Sequence, residues 1–175
     1  LAGGVHRTEG DGMSYLVGQL DPHGYPVTSV TVRPAPHAHV ASHPVPMPAV
    51  QVVAVIDTGA NHSAVSPEVV RSLGLEPMGA AEVNRVGVNG AVIYMYPVRI
   101  ELQATEGLFA PFDLGAAGIK PSTLGADVIL GLDILRAFTF TYRGPRSQSD
   151  FTLFLEDAAP PWDDRGRHVA RRESA

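Results

Sequence analysis

The sequence predicts one all-β domain, mainly antiparallel, with one or two short helices. Glycine and proline are abundant, with 18 and 15 residues, while charged residues make up only 18% of the 175 residues. Short runs of β-branched and aromatic residues recur between turn signals, a pattern typical of strands. Hydrophobic residues make up 45% of the chain, which is enough to build a core in a domain of ordinary size.

The first strands are predicted from alternation and from a buried apolar run. Apolar and polar residues alternate in Tyr15–Leu20 and Val27–Val32, on either side of a turn at residues 21–24. Residues 33–49 contain five prolines, a density that strands and helices do not tolerate, so we expect an extended surface loop. The run Val50–Ile56 predicts a strand that is buried on both faces.

A short helix and a hairpin are expected next. Ser66 is a suitable N-cap, Pro67 suits the first helical position, and Gly74 ends the helix. Residues 83–102 then form two strand-like arms around Asn89-Gly90, the strongest short-range signal for a type I′ turn.

The rest of the domain is predicted to be strands with a helical turn between them. An apolar segment lies near 108–114, and a buried strand is expected at Asp127–Leu130. Residues 132–137 suit a helical turn, and Phe138–Tyr142 and Phe151–Leu155 alternate as strands do.

The domain itself is expected to span residues 15–156. Residues 1–14 are rich in glycine and predict a flexible arm. Residues 157–175 are charged and contain proline, so we expect a disordered tail.

Composition excludes several classes of function. A net charge of -5 and a pI near 5.7 do not favour nucleic acid as a partner. Without cysteine the chain has no thiolate nucleophile, no disulfide and no cysteine zinc site. No apolar run reaches the roughly 18 residues of a membrane span. The lack of cysteine and of a signal sequence slightly favours the cytoplasm, but the localisation stays unassigned because the sequence begins at Leu1.

Asp57 is the residue that local sequence patterns explain least. It follows an apolar strand directly, where an unpaired buried carboxylate would be costly, and such exceptions often mark functional sites. Gly59 then permits a tight turn and a close backbone approach. The structural alternative is an ordinary turn, because Asp-x-Gly commonly follows a strand.

Three segments, in order, resemble the retropepsin-like aspartic proteases, which are single-lobe enzymes of the retroviral type. The first is the strand followed by Asp57-Thr58-Gly59-Ala60, and the second is the Asn89-Gly90 hairpin, placed where this family carries its flap. The third is the run from Val128 to Leu135, with a glycine after an apolar strand and then a short helix. The resemblance covers roughly residues 25–155 and implies a retropepsin-like lobe that is closed by homodimerisation.

The resemblance implies an aspartic endopeptidase that acts on polypeptides without a cofactor. Two aspartates that share one proton activate a water and polarise the scissile carbonyl in this family. The Asp-Thr-Gly motif occurs once in this chain, so the second Asp57 must come from another copy across a two-fold axis. A homodimer is therefore expected.

Roles for the neighbouring residues are implied by the same resemblance. Thr58 corresponds to the threonine that bonds across the dimer, and Gly59 to the glycine whose carbonyl contacts substrate. Ala60 lacks the hydroxyl that would favour the ionised carboxylate, which implies a less acidic optimum. Substrate-binding positions are expected in the motif and at the flap tip: Gly59, Asn61, His62, Gly87, Val88, Asn89, Gly90 and Ala91.

Two segments depart from the viral pattern. Asn61 and His62 stand where viral members have acidic residues, and Leu132-Asp133 stands where they have Arg-Asn. Both partners of the viral ion pair are absent together, so no buried charge is left unpaired. In these respects the chain is more similar to bacterial-type and plant-type members.

Other candidate residues receive structural interpretations. Neither Asp127 nor Asp133 precedes Thr-Gly or Ser-Gly, so we expect them at a strand edge and a helix start. His37, His39 and His43 have a spacing that could bind zinc, but they lie in the proline-rich loop without carboxylates. We therefore expect no metal site there.

Two alternatives to an active protease remain open at this point. The first alternative is a catalytically silent protease-like domain that binds peptides or assembles dimers. The second is a form inhibited by its own segments. In the second case, the N-terminal arm or the 33–49 loop blocks the cleft.

Overall fold

A computed structural model describes residues 14–36, 38, 47–85, 88–103, 109–121, 125–143 and 150–155. These residues form ten strands and two short helices, so the prediction of a mainly antiparallel all-β domain is confirmed. The strands are β1 (Ser14–Leu20), β2 (Pro26–Pro34), β3 (Val50–Ile56), β4 (Ala64–Val65), β5 (Gly79–Arg85), β6 (Val88–Gln103), β7 (Phe109–Gly118), β8 (Val128–Leu130), β9 (Phe138–Arg143) and β10 (Asp150–Leu155); the helices are α1 (Pro67–Leu73) and α2 (Leu132–Leu135). Ser14, the last residue of the expected arm, begins β1, and the rest of the arm and the tail lie outside the described residues.

All ten strands belong to one sheet, in the order β5-β6-β7-β4-β8-β3-β2-β1-β10-β9, and β6 also pairs with β2. Most neighbours are antiparallel, but β3 pairs with β8 in parallel, as does β4 with β7. In the first parallel pair, Ile56 lies opposite Leu130. The segments that follow β3 and β8 therefore start side by side at one edge of the sheet.

The hydrophobic core is formed by buried side chains from most of the strands and from both helices. Val30 and Val32 of β2 pair with Leu102 and Ile100 of β6, and all four side chains are buried. Phe151 of β10 is also fully buried. Because alternate residues of a strand share a face, the even-numbered residues of β6 face the core along this stretch.

Helix α1 forms as its capping residues predict. The Ser66 hydroxyl accepts a hydrogen bond from the Val69 N–H, and Pro67 occupies the first turn. Gly74 takes the left-handed conformation that ends the helix, with φ of 63°. Val69 and Leu73 are buried, so the helix packs one face onto the sheet.

Two details of the predictions for this part of the chain are wrong. Only residues 54–56 of β3 are buried, because β8 is three residues long and flanks only that end of the strand. The proline-rich loop starts later than expected, since Arg33 and Pro34 pair with Arg99 and Val98 in the sheet. Its residues 37 and 39–46, including three histidines, lie outside the described part of the chain.

The hairpin turn also lies elsewhere than predicted. Arg85 pairs with Val88, so β6 already includes Asn89 and Gly90, and residues 86–87 lie outside the described part of the chain. Between the pairs Val83–Ala91 and Arg85–Val88, β6 has one residue more than β5, so the bulge lies on β6 and includes Gly90, whose φ is 69°. A glycine with positive φ therefore serves a bulge here instead of a type I′ turn.

Candidate active site

Asp57 lies directly after β3, and the backbone holds it on both sides. Its N–H donates to the Leu130 carbonyl over 3.0 Å. The Gly59 N–H donates to its Oδ1 at 2.9 Å, and the Ala60 N–H donates to its carbonyl at 3.2 Å. Asp57 is nevertheless exposed in the single chain. The tight turn thus fixes one carboxylate oxygen and leaves the side chain open to a partner.

The rest of the Asp57 loop packs against the start of α2 at Gly131. A Cβ on Gly131 would lie 2.7 Å from the His62 carbonyl carbon and 2.9 Å from the Ala60 oxygen. The next residue, Leu132, donates its N–H to that same Ala60 oxygen at 2.8 Å. The backbone here is therefore too close for any side chain, which explains why a glycine follows β8.

Ser63 and Asp133 connect the loop to α2 through side chains. The Ser63 N–H donates to Asp133 Oδ2 at 2.8 Å, and the Ser63 hydroxyl donates to Oδ1 at 2.6 Å. The same hydroxyl accepts from the Gly131 N–H at 3.0 Å, and Ser63 is fully buried. Asp133 begins a helix, as predicted, but sequence reasoning did not identify its partner.

Asp127 makes an equivalent contact on the other side of β8. The Ser66 hydroxyl donates to Asp127 Oδ1 at 3.0 Å, and the Ser66 N–H donates to the Asp127 carbonyl at 2.7 Å. Asp127 therefore fixes the start of α1. Its structural interpretation agrees with these contacts.

The predicted site residues of the motif segment occupy one continuous loop. Thr58 and Gly59 are exposed beside Asp57, and Ala60 is half-buried. Asn61 and His62 are exposed further along.

The predicted flap residues lie on the β5–β6 hairpin. Val88 and Asn89 begin β6, Gly90 is exposed, and Ala91 is half-buried. Gly87 lies outside the described residues.

Val92 and Tyr94 are two residues on the hairpin that sequence reasoning missed. They share the face of β6 that further along carries Tyr96, which packs against the core, and the buried Val98. Val92 is nevertheless 73% exposed and Tyr94 61% exposed. The core-facing side of β6 thus continues as an uncovered apolar surface. Val92 and Tyr94 continue the every-second-residue apolar pattern of the core positions of β6, and that pattern in the sequence could have identified this surface.

An open groove of about 590 Å³ begins at the far end of the Asp57 loop. Its lining comes from the loop, from β7 and from α2: Asn61, His62, Leu114, Gly115, Leu132, Asp133 and Arg136. The groove thus contains two predicted substrate-binding residues and five that sequence reasoning did not predict.

Charged groups around the site are paired to different extents. Arg99 makes two hydrogen bonds of 2.7 Å to Asp113, the neighbour of Leu114, and this contact raises the pKa of Arg99. Arg136 is exposed, and within the described ranges it has no ion-pair partner. Among those same residues, no cluster of three histidine, aspartate or glutamate side chains suits a metal ion. No described helix is long and apolar enough to cross a membrane.

Similarity to known proteins extends over most of this chain. One solved structure that it resembles is the crystal structure of a retropepsin-like aspartic protease from Rickettsia conorii. The TM-score is 0.49 at 13% identity, over 87% of this chain and 100% of the other. No curated protein matches. The family model described as gag-polyprotein putative aspartyl protease matches residues 45–137, more than half of the chain, and the chain therefore belongs to this retropepsin-like aspartyl protease family.

Proposed function

We propose that this chain is an aspartic endopeptidase whose active site forms from two copies, each of which supplies Asp57. The observation that carries the proposal is the geometry of Asp57, an exposed carboxylate held at the end of β3 by the Gly59 N–H. The Asp-Thr-Gly motif occurs once in the chain, so one copy holds half of the catalytic pair.

The fixed carboxylate suits acid–base chemistry on a water. Two carboxylates that meet across a two-fold axis cannot both ionise easily, so they share one proton. The ionised partner takes a proton from the water, while the protonated one donates a hydrogen bond to the scissile carbonyl. In each copy the Gly59 N–H keeps one carboxylate oxygen of Asp57 in a constant orientation.

The loop around Asp57 is anchored well enough to keep this geometry. Leu130 and Leu132 bind the backbone on either side of the turn, and Ser63 binds Asp133 from its buried position. Preorganisation of this kind reduces the rearrangement that the reaction requires. Thr58, exposed next to Asp57, is available to bond across the dimer.

The β5–β6 hairpin would act as the flap that covers the substrate. An extended peptide would pair its main chain with the flap and the floor of the cleft. Val92 and Tyr94 present the uncovered apolar surface that substrate side chains would contact. Closure over the peptide would exclude water from the two carboxylates.

Cleavage of a diverse peptide mixture, read by mass spectrometry from mildly acidic to neutral pH, tests the proposal. We expect the native chain to cleave and Asp57→Asn to lose at least about 10²-fold in rate, the contribution of one acid–base group. Asp127→Asn is a control for the chemistry, because that residue fixes α1. Equal cleavage by native protein and Asp57→Asn would contradict the assignment. A confirmed dimer that never cleaves would support a peptide-binding module instead.

A further inference from the structure

We infer that the groove beside the Asp57 loop is a subsite for an acidic side chain of the peptide substrate, with Arg136 as the residue that reads its charge. This inference rests on the proposed function, since it names the class of peptide that the same site prefers. Its support comes from the position of the groove, from the polarity of its walls and from the balance of charges around it.

The position of the groove connects it to the catalytic loop. Asn61 and His62 line it, and they follow Asp57 by only four and five residues. His62 also contacts Gly131 through its backbone, so this wall is fixed to α2. A peptide that lies over Asp57 would therefore reach the groove with a residue a few positions from the scissile bond.

The walls suit a side chain with an apolar stem. Leu114 and Leu132 contribute apolar surface, and Leu132 is 40% exposed. Gly115 adds no side chain to the wall. A volume of about 590 Å³ is ample for one long side chain.

The groove carries one carboxylate and one guanidinium, which differ in their hydrogen-bond partners. Asp133 lines the groove, but its carboxylate accepts three hydrogen bonds, two from Ser63 and one from the Ile134 N–H. Nearby Asp113 is bound by Arg99. Arg136 is exposed on α2 without an ion-pair partner in the described part of the chain. Its guanidinium offers two parallel donors to a carboxylate.

Arg136 and Asp133 stand one helical turn apart, yet they form no ion pair within 4.0 Å in the described structure. Residues at this spacing on a helix commonly pair. The Asp133 oxygens are instead bound by Ser63 and by the Ile134 N–H. The guanidinium is thereby left for a ligand.

Binding of a randomised peptide library to the Asp57→Asn protein tests this inference without requiring cleavage. We expect glutamate or aspartate to be enriched at one position, about two- to fivefold over glutamine or asparagine, as suits a solvent-exposed ion pair. Arg136→Gln should abolish the enrichment, and Arg136→Glu should replace it with lysine or arginine at that position. Arg71→Gln removes a different exposed arginine and should change nothing, since Arg71 lies on α1.

The outcomes separate this inference from the proposed function. Cleavage that depends on Asp57, together with no acidic enrichment, would overturn the subsite and leave the protease intact. Enrichment that persists in Arg136→Gln would also overturn it, because another residue would then read the charge. Acidic enrichment without any cleavage by the native chain would support the subsite and contradict the protease. Failure of the library to bind at all would overturn the subsite.

Discussion

Asp133 holds Ser63 with both carboxylate oxygens, at 2.8 Å from the serine N–H and 2.6 Å from its hydroxyl, across 70 residues of sequence. The serine hydroxyl in turn accepts the Gly131 N–H. Three hydrogen bonds thus join the end of the Asp57 loop to the start of α2. Because Ser63 is fully buried, its N–H and hydroxyl have no water as a substitute partner.

Replacement of Ser63 by alanine should lower the free energy of unfolding by about 1–3 kcal/mol, because the Gly131 N–H loses its partner and Asp133 Oδ1 keeps only the Ile134 N–H. Chemical denaturation measures the change. Ser29→Ala is a matched control, since its hydroxyl makes only an exposed 3.2 Å contact with Gln51 and its removal should cost little. Equal stability of the two variants would show that the Ser63 contacts contribute nothing.

Replacement of Gly131 by alanine should destabilise the chain by about 1–3 kcal/mol, the usual cost of overpacking. The backbone conformation is ordinary, with φ of -93°, so the cost would come from contact with the carbonyls of His62 and Ala60. The same variant should slow cleavage, because these carbonyls belong to the Asp57 loop.

Gly79→Ala is the control for that variant, because nothing lies within 4 Å of a Cβ at Gly79. Thermal unfolding compares the two proteins. An alanine at 131 that unfolds at the same temperature as the control would contradict the close packing.

A serine at Ala60 should move the acidic limb of the pH–rate profile to lower pH. A hydroxyl there would donate to the Asp57 carboxylate and favour its ionised form, so the required charge would persist in more acidic solution. Ala80→Ser, on an exposed position of β5, should leave the profile unchanged. A limb that stays in place or moves upward in Ala60→Ser would argue that no such hydrogen bond forms.

Removal of the Tyr94 ring should weaken substrate binding more than it weakens folding. Because the side chain is 61% exposed in the single chain, Tyr94→Ser should change the stability little. Under the flap hypothesis it should reduce kcat/KM about three- to tenfold, because the ring would no longer pack against apolar side chains of the peptide. Tyr25→Ser, at a residue that is 47% exposed in the β1–β2 turn, serves as the control. Equal kinetics of the two variants would remove Tyr94 from the substrate surface.

Local patterns predicted the elements whose causes are local. Ser66, Pro67 and Gly74 set the ends of α1, because capping depends on neighbours within one turn. The apolar run before Asp57 likewise predicted β3. The prediction of a turn at Asn89-Gly90 was wrong because a bulge shifts the register there, and a glycine with positive φ suits either structure.

The features that sequence reasoning missed depend on contacts between distant segments. An aspartate at position 133 suits the start of a helix whether or not it binds a serine. The parallel pairing of β3 with β8 brings it to Ser63. The groove likewise requires β7 and α2 to meet at the Asp57 loop. Contacts between distant segments produce no repeating pattern of residues that a single sequence would reveal.

Mixing native protein with Asp57→Asn protein tests most directly whether two chains share one active site. At a ninefold excess of the variant, above the dimer dissociation constant and with substrate in excess of both proteins, random pairing leaves about a tenth of native chains with a native partner. Cleavage per native chain should then fall to about a tenth, while an excess of an inert folded protein should leave it unchanged. Cleavage per native chain that does not fall would mean that one chain is sufficient, and it would contradict the shared Asp57 pair.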